Sequence, residues 1–263
     1  MICRDIAAHR HAQLLAALLD HAEPPWRAGE LPPLAHWLLF PPDARQSLIG
    51  TDGHPARADG GLPRRMWAGS RVRFLRPILL GDTVERRTTV VSEVDKAGKS
   101  GPMRFVTLSH VLSVNGAVAA EEEQSIVYRA AAPAGASARP LAPDTVADVP
   151  AVVRQLSLGP VELFRFSALT FNAHRIHYDR DYARSEEGYP GLVVHGPYIA
   201  TLLMDHFMRH RPHGTVRAFS FKALRPIFDG ESFTLGLTED AKGADLVAID
   251  AAGGIATQAR IDL

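Results

Sequence analysis

Residues 75–83 read LRPILLGDT, and residues 224–232 read LRPIFDGES. The second segment resembles the first and lies 149 residues after it in the chain. Both begin with Leu-Arg-Pro-Ile. Two residues later, both continue with a glycine, an acidic residue and a hydroxyl residue. A shared motif at the same point of two β-rich regions indicates an internal duplication.

Each copy of the motif lies within a series of predicted strands. Segments with β-branched residues and loose alternation are separated by turn sequences such as AGKSG, NGA and DAKGAD. In the first half the strands are predicted at 71–78, 83–94, 104–114 and 118–128, and in the second half at 216–224, 232–237, 246–250 and 255–263. We expect the first set to form a four-stranded antiparallel meander, with the same rhythm repeated in the second.

Helical patterns precede both sets of strands. Gly196-Pro197 opens a long predicted helix over 198–207, and proline is favoured in a first helical turn. The first half offers only an amphipathic segment at 11–19 and a short one at 34–40, so it has lost its long central helix. The predicted fold class is α+β: a double hot-dog in which two antiparallel sheets each wrap a helix, with the N-terminal helix degenerate.

The domain organisation follows from a segment rich in alanine and proline. Residues 130–150 contain almost no large apolar side chains, which predicts a surface linker. We therefore expect an N-terminal degenerate hot-dog over 1–129 and a C-terminal catalytic hot-dog over 151–263.

The composition excludes several classes of protein. The 29 Lys and Arg residues balance the 29 Asp and Glu residues, so no excess charge favours nucleic acid or an anionic membrane. The single cysteine, Cys3, can form no internal disulfide. No apolar run approaches the roughly 20 residues of a membrane span, and the N-terminus does not read as a signal peptide. A cytoplasmic protein with a small-molecule partner is expected.

Reactive side chains are densest in TFNAHRIHYD at 170–179 and in VVHGP at 193–197. These motifs resemble the MaoC-type hydratase family, in which a carboxylate lies five residues before a histidine and a His-Gly pair precedes the central helix. More closely, they resemble the 3-hydroxyacyl-thioester dehydratases and the hydratases of mesaconyl-C4-CoA and itaconyl-CoA.

The resemblance implies roles for individual residues. His177 takes the position of the acid–base histidine, and its ordinary pKa near neutrality suits proton exchange. The amide of Gly196 takes the position that polarises the thioester carbonyl. Asn172 falls where the family has its carboxylate, and an amide side chain cannot exchange protons but can orient water. The alternative for Asn172 is a structural turn residue.

Neighbouring residues have supporting roles or structural alternatives. Arg175 could bind a second, free carboxylate on the acyl group, or it could be a surface ion-pair residue. Asp179 is expected to cap a helix over 180–187, although it could also orient an imidazole. His195 is expected to hold the loop before Gly196 through a hydrogen bond. His174 forms an HxxH pair with His177.

Two further groups of side chains have weaker functional interpretations. His206, His210 and His213 have spacings that metal sites use, but no HExxH carboxylate accompanies them, so we expect a solvated helix end and no metal site. A basic cluster at and before the first predicted strand could contact the phosphates of coenzyme A, or it could be solvated surface. Its members are Arg64, Arg65, Arg71 and Arg73.

The sequence therefore predicts a lyase, a hydratase or dehydratase that interconverts enoyl and hydroxyacyl thioesters. The resemblance implies no cofactor beyond the coenzyme A of the substrate, and an acyl carrier protein could replace that coenzyme A. The alternatives are a hot-dog thioesterase, which would need a carboxylate, and a non-catalytic acyl-CoA binding protein. One chain mimics a pair of single hot-dogs, so a homodimer is left open.

Overall fold

The computed structural model describes residues 1–56, 61–98, 101–131 and 150–263. Its helices are α1 (His9–Leu18), α2 (Pro160–Thr170), α3 (Arg180–Ser185) and α4 (Gly196–His210). Its strands are β1 (Ile2–Ile6), β2 (Arg64–Phe74), β3 (Thr83–Gly98), β4 (Gly101–Val114), β5 (Ala117–Arg129), β6 (Val152–Ser157), β7 (Ala218–Ala223), β8 (Ser232–Glu239), β9 (Gly243–Ile249) and β10 (Ile255–Asp262). Short 3-10 helices lie at Ala35–Leu38, Gln46–Leu48 and Arg175–His177. The α+β class is confirmed.

The strands of the described residues form one ten-stranded sheet in the order β1-β3-β4-β5-β2-β7-β10-β9-β8-β6. The two halves contribute equivalent strands in opposite order across the sheet. They join because β2 pairs antiparallel with β7. The two predicted sheets are therefore continuous with each other. All the pairings are antiparallel.

The predicted four-stranded meander is wrong in its order. Strands β3, β4 and β5 do form a meander, but β2 pairs with β5 and not with β3. The strand predicted at 71–78 is β2, which spans Arg64–Phe74 and so begins and ends earlier than predicted. The LRPI run that begins at Leu75 lies outside it. Proline has no amide hydrogen for a ladder, so a strand tends to end before it. The edge strands β1 and β6, and helix α2, were missed.

The sequence repeat has a common geometry in both halves. The amides of Leu75 and Arg76 both donate to the carbonyl of Ala119, and those of Leu224 and Arg225 both donate to Ala256. The glycines that follow, Gly81 and Gly230, both have positive φ angles, of 103° and 77°. Equivalent turns therefore connect equivalent strands, as expected for a duplicated unit.

Helix α4 is the central helix of the second half. Tyr198, Leu203 and Phe207 are almost fully buried, and the helix contacts β8, β9 and β10. Its equivalent in the first half is only the short 3-10 helix Ala35–Leu38, since Leu31 N donates to Ile78 O where Val194 N donates to Ile227 O. The prediction that the first half lacks a long central helix agrees with this geometry, and the concave face of its strands is left open.

The predicted linker lies almost entirely outside the described residues, which stop at 131 and resume at 150. The domain limits 1–129 and 151–263 therefore stay a prediction. Within the ranges given above, no helix is both long enough and apolar enough to cross a membrane.

Candidate active site

The loop between α2 and α3 carries the predicted histidine. His177 ends a short 3-10 turn and is 7% exposed. Its Nδ1 lies 2.7 Å from the carbonyl oxygen of Val193. Because a carbonyl can only accept, Nδ1 carries the proton, and Nε2 of the neutral ring keeps a free lone pair. Burial lowers the pKa of His177 to about 4, although the bond to Val193 opposes that shift.

His195 packs directly on His177. The two rings are stacked with centroids 3.6 Å apart, and His195 is completely buried. Its Nε2 shares a 2.8 Å hydrogen bond with Oγ of Ser167 on α2. Burial lowers the pKa of His195 well below its ordinary value, with a smaller effect of His177. The expected support by a hydrogen bond thus has a specific partner, Ser167, which the sequence analysis did not single out.

Gly196 is the first residue of α4, directly after His195. The first amides of a helix have no partner within the helix, and they lie at the positive end of its dipole. A Cβ placed on Gly196 would meet the carbonyl oxygen of Trp67 at 3.6 Å, an ordinary contact. Gly196 therefore lies beside strand β2.

Asn172 has a turn role in the structure. Helix α2 ends with Phe171 in the left-handed conformation, at φ 51°. The Oδ1 atom of Asn172 then accepts a 3.0 Å hydrogen bond from the amide of His174. This contact fits the turn alternative. It engages one oxygen lone pair, and Asn172 also lines the cavity described below, where its side-chain amide can act as a donor.

Arg175 and Asp179 are paired with each other. Nε and Nη2 of Arg175 donate to Oδ2 of Asp179 at 3.0 and 2.6 Å, and Nη1 donates to the carbonyl of Thr51 at 3.1 Å. Asp179 also caps α3, since its Oδ1 accepts from the amide of Tyr182. The predicted cap is confirmed, and the contacts of Arg175 are those of an ion-pair residue, the alternative to substrate binding.

A segment from the first half covers this loop. Gly53 has a φ of 92°, and a Cβ on it would lie 1.8 Å from the carbonyl oxygen of Ala173. The next residue, His54, places its ring 4.4 Å from that of His174. Burial, and to a smaller extent the charges of neighbouring arginine and histidine side chains, lowers the pKa of His54 to about 3 and that of His174 to about 2. His54 was missed because its partner is far away in sequence.

A cavity of about 1850 Å³ extends from this loop under the first half of the chain. At the loop end it is lined by His54, Asn172 and Pro197, whereas the buried His177 is not among the lining residues. At the other end it is lined by side chains of the open N-terminal strands, in the space that a central helix would fill. The missing helix therefore accounts for the size of the cavity.

At the end of the cavity that the N-terminal strands line, one wall contains a buried carboxylate. Glu122 accepts hydrogen bonds from Ser70 Oγ at 2.6 Å, Trp37 Nε1 at 3.1 Å and His36 Nε2 at 3.2 Å. Burial would raise its pKa, but the contacts with His36 and Ser70 hold the pKa of Glu122 below its usual range. With three donors, Glu122 serves to order the wall of the cavity.

The structure also places the weaker candidates. Arg64 pairs with Glu187 at 2.6 Å, and the exposed Arg73 pairs with Glu121. His206 Nε2 lies 3.4 Å from the carbonyl of Val152, and His210 contacts Glu239. No group of three or more histidine, cysteine or acidic side chains within the described ranges has an arrangement suited to a metal ion.

The sheet packs against the central helix α4, and the buried His177 lies on a loop and stacks on the residue that precedes this helix, which is the architecture of the hot-dog class. The chain belongs to the family of type 2 hydroxyacyl-thioester dehydratases, whose sequence profile matches residues 34–229. It is 43% identical to the mesaconyl-C4-CoA hydratase of Chloroflexus aurantiacus over 262 residues, which cover 96% of this chain and 91% of that protein. The family predicted from the two motifs is confirmed.

Solved structures support the fold. HtdX of Mycobacterium tuberculosis superimposes with a TM-score of 0.70 over the full length of both chains, at 19% identity. A second Mycobacterium tuberculosis protein, described as having a double hotdog fold, superimposes with a TM-score of 0.60 at 15% identity. That alignment covers 99% of this chain and 94% of the other. The predicted double hot-dog is therefore confirmed.

Proposed function

We propose that this hydratase/dehydratase acts on a short enoyl thioester of coenzyme A whose acyl group carries a free carboxylate. The hydro-lyase class follows from the family. The choice of acyl group is supported by the 43% identity to a protein named for mesaconyl-C4-CoA, which is such a thioester. The observation that carries the proposed chemistry is the bond from His177 Nδ1 to Val193 O, since it leaves Nε2 as a base.

In the proposed mechanism, His177 carries out both proton-transfer steps. Nε2 takes a proton from water as the water oxygen bonds to the β-carbon, and the electron pair of the double bond shifts to the thioester oxygen. The amide of Gly196 stabilises that developing negative charge. The imidazolium of His177 then returns a proton from Nε2 to the α-carbon. Dehydration follows the same steps in reverse.

His195 supports the imidazole of His177 in this scheme. Its ring stacks on His177 at 3.6 Å and is itself held by Ser167 at 2.8 Å. Because burial keeps His195 neutral, it adds no positive charge next to the imidazolium that forms during the reaction. The stack therefore holds the base without making it harder to protonate.

Turnover by the wild-type protein tests the proposed function. We expect loss of the conjugated enoyl-thioester absorbance with mesaconyl-C4-CoA, and more slowly with crotonyl-CoA, which lacks the carboxylate. Free thiol is measured in the same samples. Thiol release with no hydration would instead indicate a thioesterase, and tight binding without either signal would indicate an acyl-CoA binding protein.

Two variants of Asn172 separate its turn contact from its donor role. Asn172→Asp keeps the oxygen that accepts from His174 but loses the side-chain N–H, whereas Asn172→Ala loses both. If the N–H group orients water, both variants should lower kcat by about 10-fold, the order of one lost hydrogen bond. Full activity of Asn172→Asp alone would mean that the side-chain oxygen is needed and the N–H group is not. Thermal melts of both variants show whether the fold is retained.

A further inference from the structure

Within the described residues, Arg65 is the one cation of the predicted basic cluster that lies near the histidines and has no hydrogen-bond or ion-pair partner. It lies on β2 and lines the cavity together with Trp67. No hydrogen bond or ion pair links its side chain to any residue in the described part of the chain. By contrast, Arg64 is held by Glu187 and Tyr189, and Arg175 by Asp179 and Thr51.

The position of Arg65 relative to Gly196 follows from the strand. Residues two apart on a strand point to the same face and lie about 7 Å apart. Arg65 is two residues before Trp67, and the carbonyl oxygen of Trp67 lies 3.6 Å from the Cβ position on Gly196. Arg65 therefore lies on the strand that passes beside the start of α4, two residues from the carbonyl that approaches Gly196.

The length of a four-carbon dicarboxylic acyl group sets the distance between the two groups that bind its ends. Its thioester and carboxylate carbons are separated by three carbon–carbon bonds of about 1.5 Å each, so they lie about 4 Å apart. A C–O bond of about 1.2 Å and a hydrogen bond of about 2.9 Å at each end bring the donor-to-donor span to about 12 Å when the group is extended. A long, flexible arginine side chain on β2 can reach the far end of such a group.

We infer that Arg65 binds the free carboxylate of the acyl group and so determines the preference for dicarboxylic over plain enoyl thioesters. This assignment rests on the proposed function, and it transfers to Arg65 the role that the sequence had suggested for Arg175. The planar guanidinium suits two parallel hydrogen bonds to a carboxylate.

The electrostatics of the site agree with a negatively charged ligand. The positive charge of Arg65 is close enough to contribute, after burial, to the lowered pKa values of both His54 and His174. Within the described residues that charge has no carboxylate partner next to the cluster of neutral histidines. A substrate carboxylate would balance it inside the cavity, where a charge pair is stronger than in bulk water.

Binding of two saturated thioesters tests the assignment without requiring turnover. Succinyl-CoA carries a terminal carboxylate, and butyryl-CoA has the same chain length without one. Titration calorimetry should show that Arg65→Met weakens the Kd for succinyl-CoA by about 100-fold, the order of two lost charge-assisted hydrogen bonds, and that for butyryl-CoA by less than about 3-fold. Methionine retains most of the apolar stem of the arginine.

Three comparisons make the test specific. Arg65→Lys retains the charge but not the forked geometry, so it should recover only part of the affinity for succinyl-CoA. Arg87→Met removes a charge from an exposed position of β3 outside the cavity and should change neither Kd. Arg175→Met should affect the two thioesters equally. Kinetics with mesaconyl-C4-CoA and crotonyl-CoA should repeat the selective loss for Arg65→Met.

The inference is overturned if Arg65→Met weakens both thioesters equally or neither, or if Arg175→Met shows the selective loss. Failure of the proposed function gives a different result. In that case the wild-type protein would hydrate no enoyl thioester, whereas its affinities for succinyl-CoA and butyryl-CoA would still report whether Arg65 distinguishes a carboxylate.

Discussion

Replacing His177 with glutamine is expected to lower kcat by about 10³-fold or more, because glutamine cannot exchange the protons that the imidazole moves. The loss applies to hydration and dehydration alike, since one nitrogen serves both directions. Enoyl-thioester absorbance measures the rate. The amide nitrogen of glutamine falls near the position of Nε2, whereas that of asparagine falls near Nδ1, so His177→Asn can keep the donor to the carbonyl of Val193 and should show the same loss of kcat if proton transfer is what matters.

The pH dependence of the wild-type enzyme provides an independent check on His177. The neutral imidazole is the base for hydration, and burial lowers its pKa to about 4. Activity should therefore persist as the pH falls through 6.5 and decline only near pH 4 to 5. A decline of kcat/KM centred at the ordinary histidine pKa, or a His177→Gln variant with full activity, would remove His177 from the mechanism.

Acidification is expected to destabilise the folded protein strongly. The pKa values of His54, His174 and His177 are lowered to about 3, 2 and 4 from an ordinary 6.5. Below pH 6.5 the unfolded chain binds protons that the folded chain does not. Stability is therefore complete above pH 6.5 and is lost as the pH falls from there towards the folded pKa values.

The magnitude of this effect is large for a protein of ordinary stability. At pH 5 each of the three histidines opposes folding by about 2 kcal/mol, and native proteins have only about 5–15 kcal/mol in total. Urea unfolding between pH 8 and pH 5 should show a steadily falling midpoint. His54→Gln should reduce the slope of the unfolding free energy against pH by the amount that corresponds to about one bound proton. A midpoint that does not change with pH would contradict the buried neutral cluster.

The two kinds of information differ in the distance over which they act. The turn that holds Asn172, the cap at Asp179 and the start of α4 at Gly196-Pro197 are local, so the residue types themselves predict them. The stacking of His195 on His177 joins residues separated by a whole loop and helix. It could be anticipated only through the family motifs.

The order of the strands could not be derived from their patterns. Alternation predicts that a segment is a strand but not which neighbour it pairs with. Strand β2 pairs with β5 and β7, and β7 belongs to the other half of the chain. The edge strands β1 and β6 are short and half exposed, so they lack the long apolar pattern on which the prediction relied.

The sequence by itself determined the duplicated architecture, the family, and the loop that carries Asn172 and His177, because these depend on short motifs and local hydrogen bonds. Only the tertiary structure decided which distant residues meet: the ring of His54 packs on that of His174, and Arg175 donates to the carbonyl of Thr51. It also places Arg65 in the cavity, with no ion-pair partner among the described residues. The physical reason is that the contacts of His54 with His174 and of Arg175 with Thr51 join residues more than 100 positions apart, through the packing of one half on the other, which no local pattern encodes.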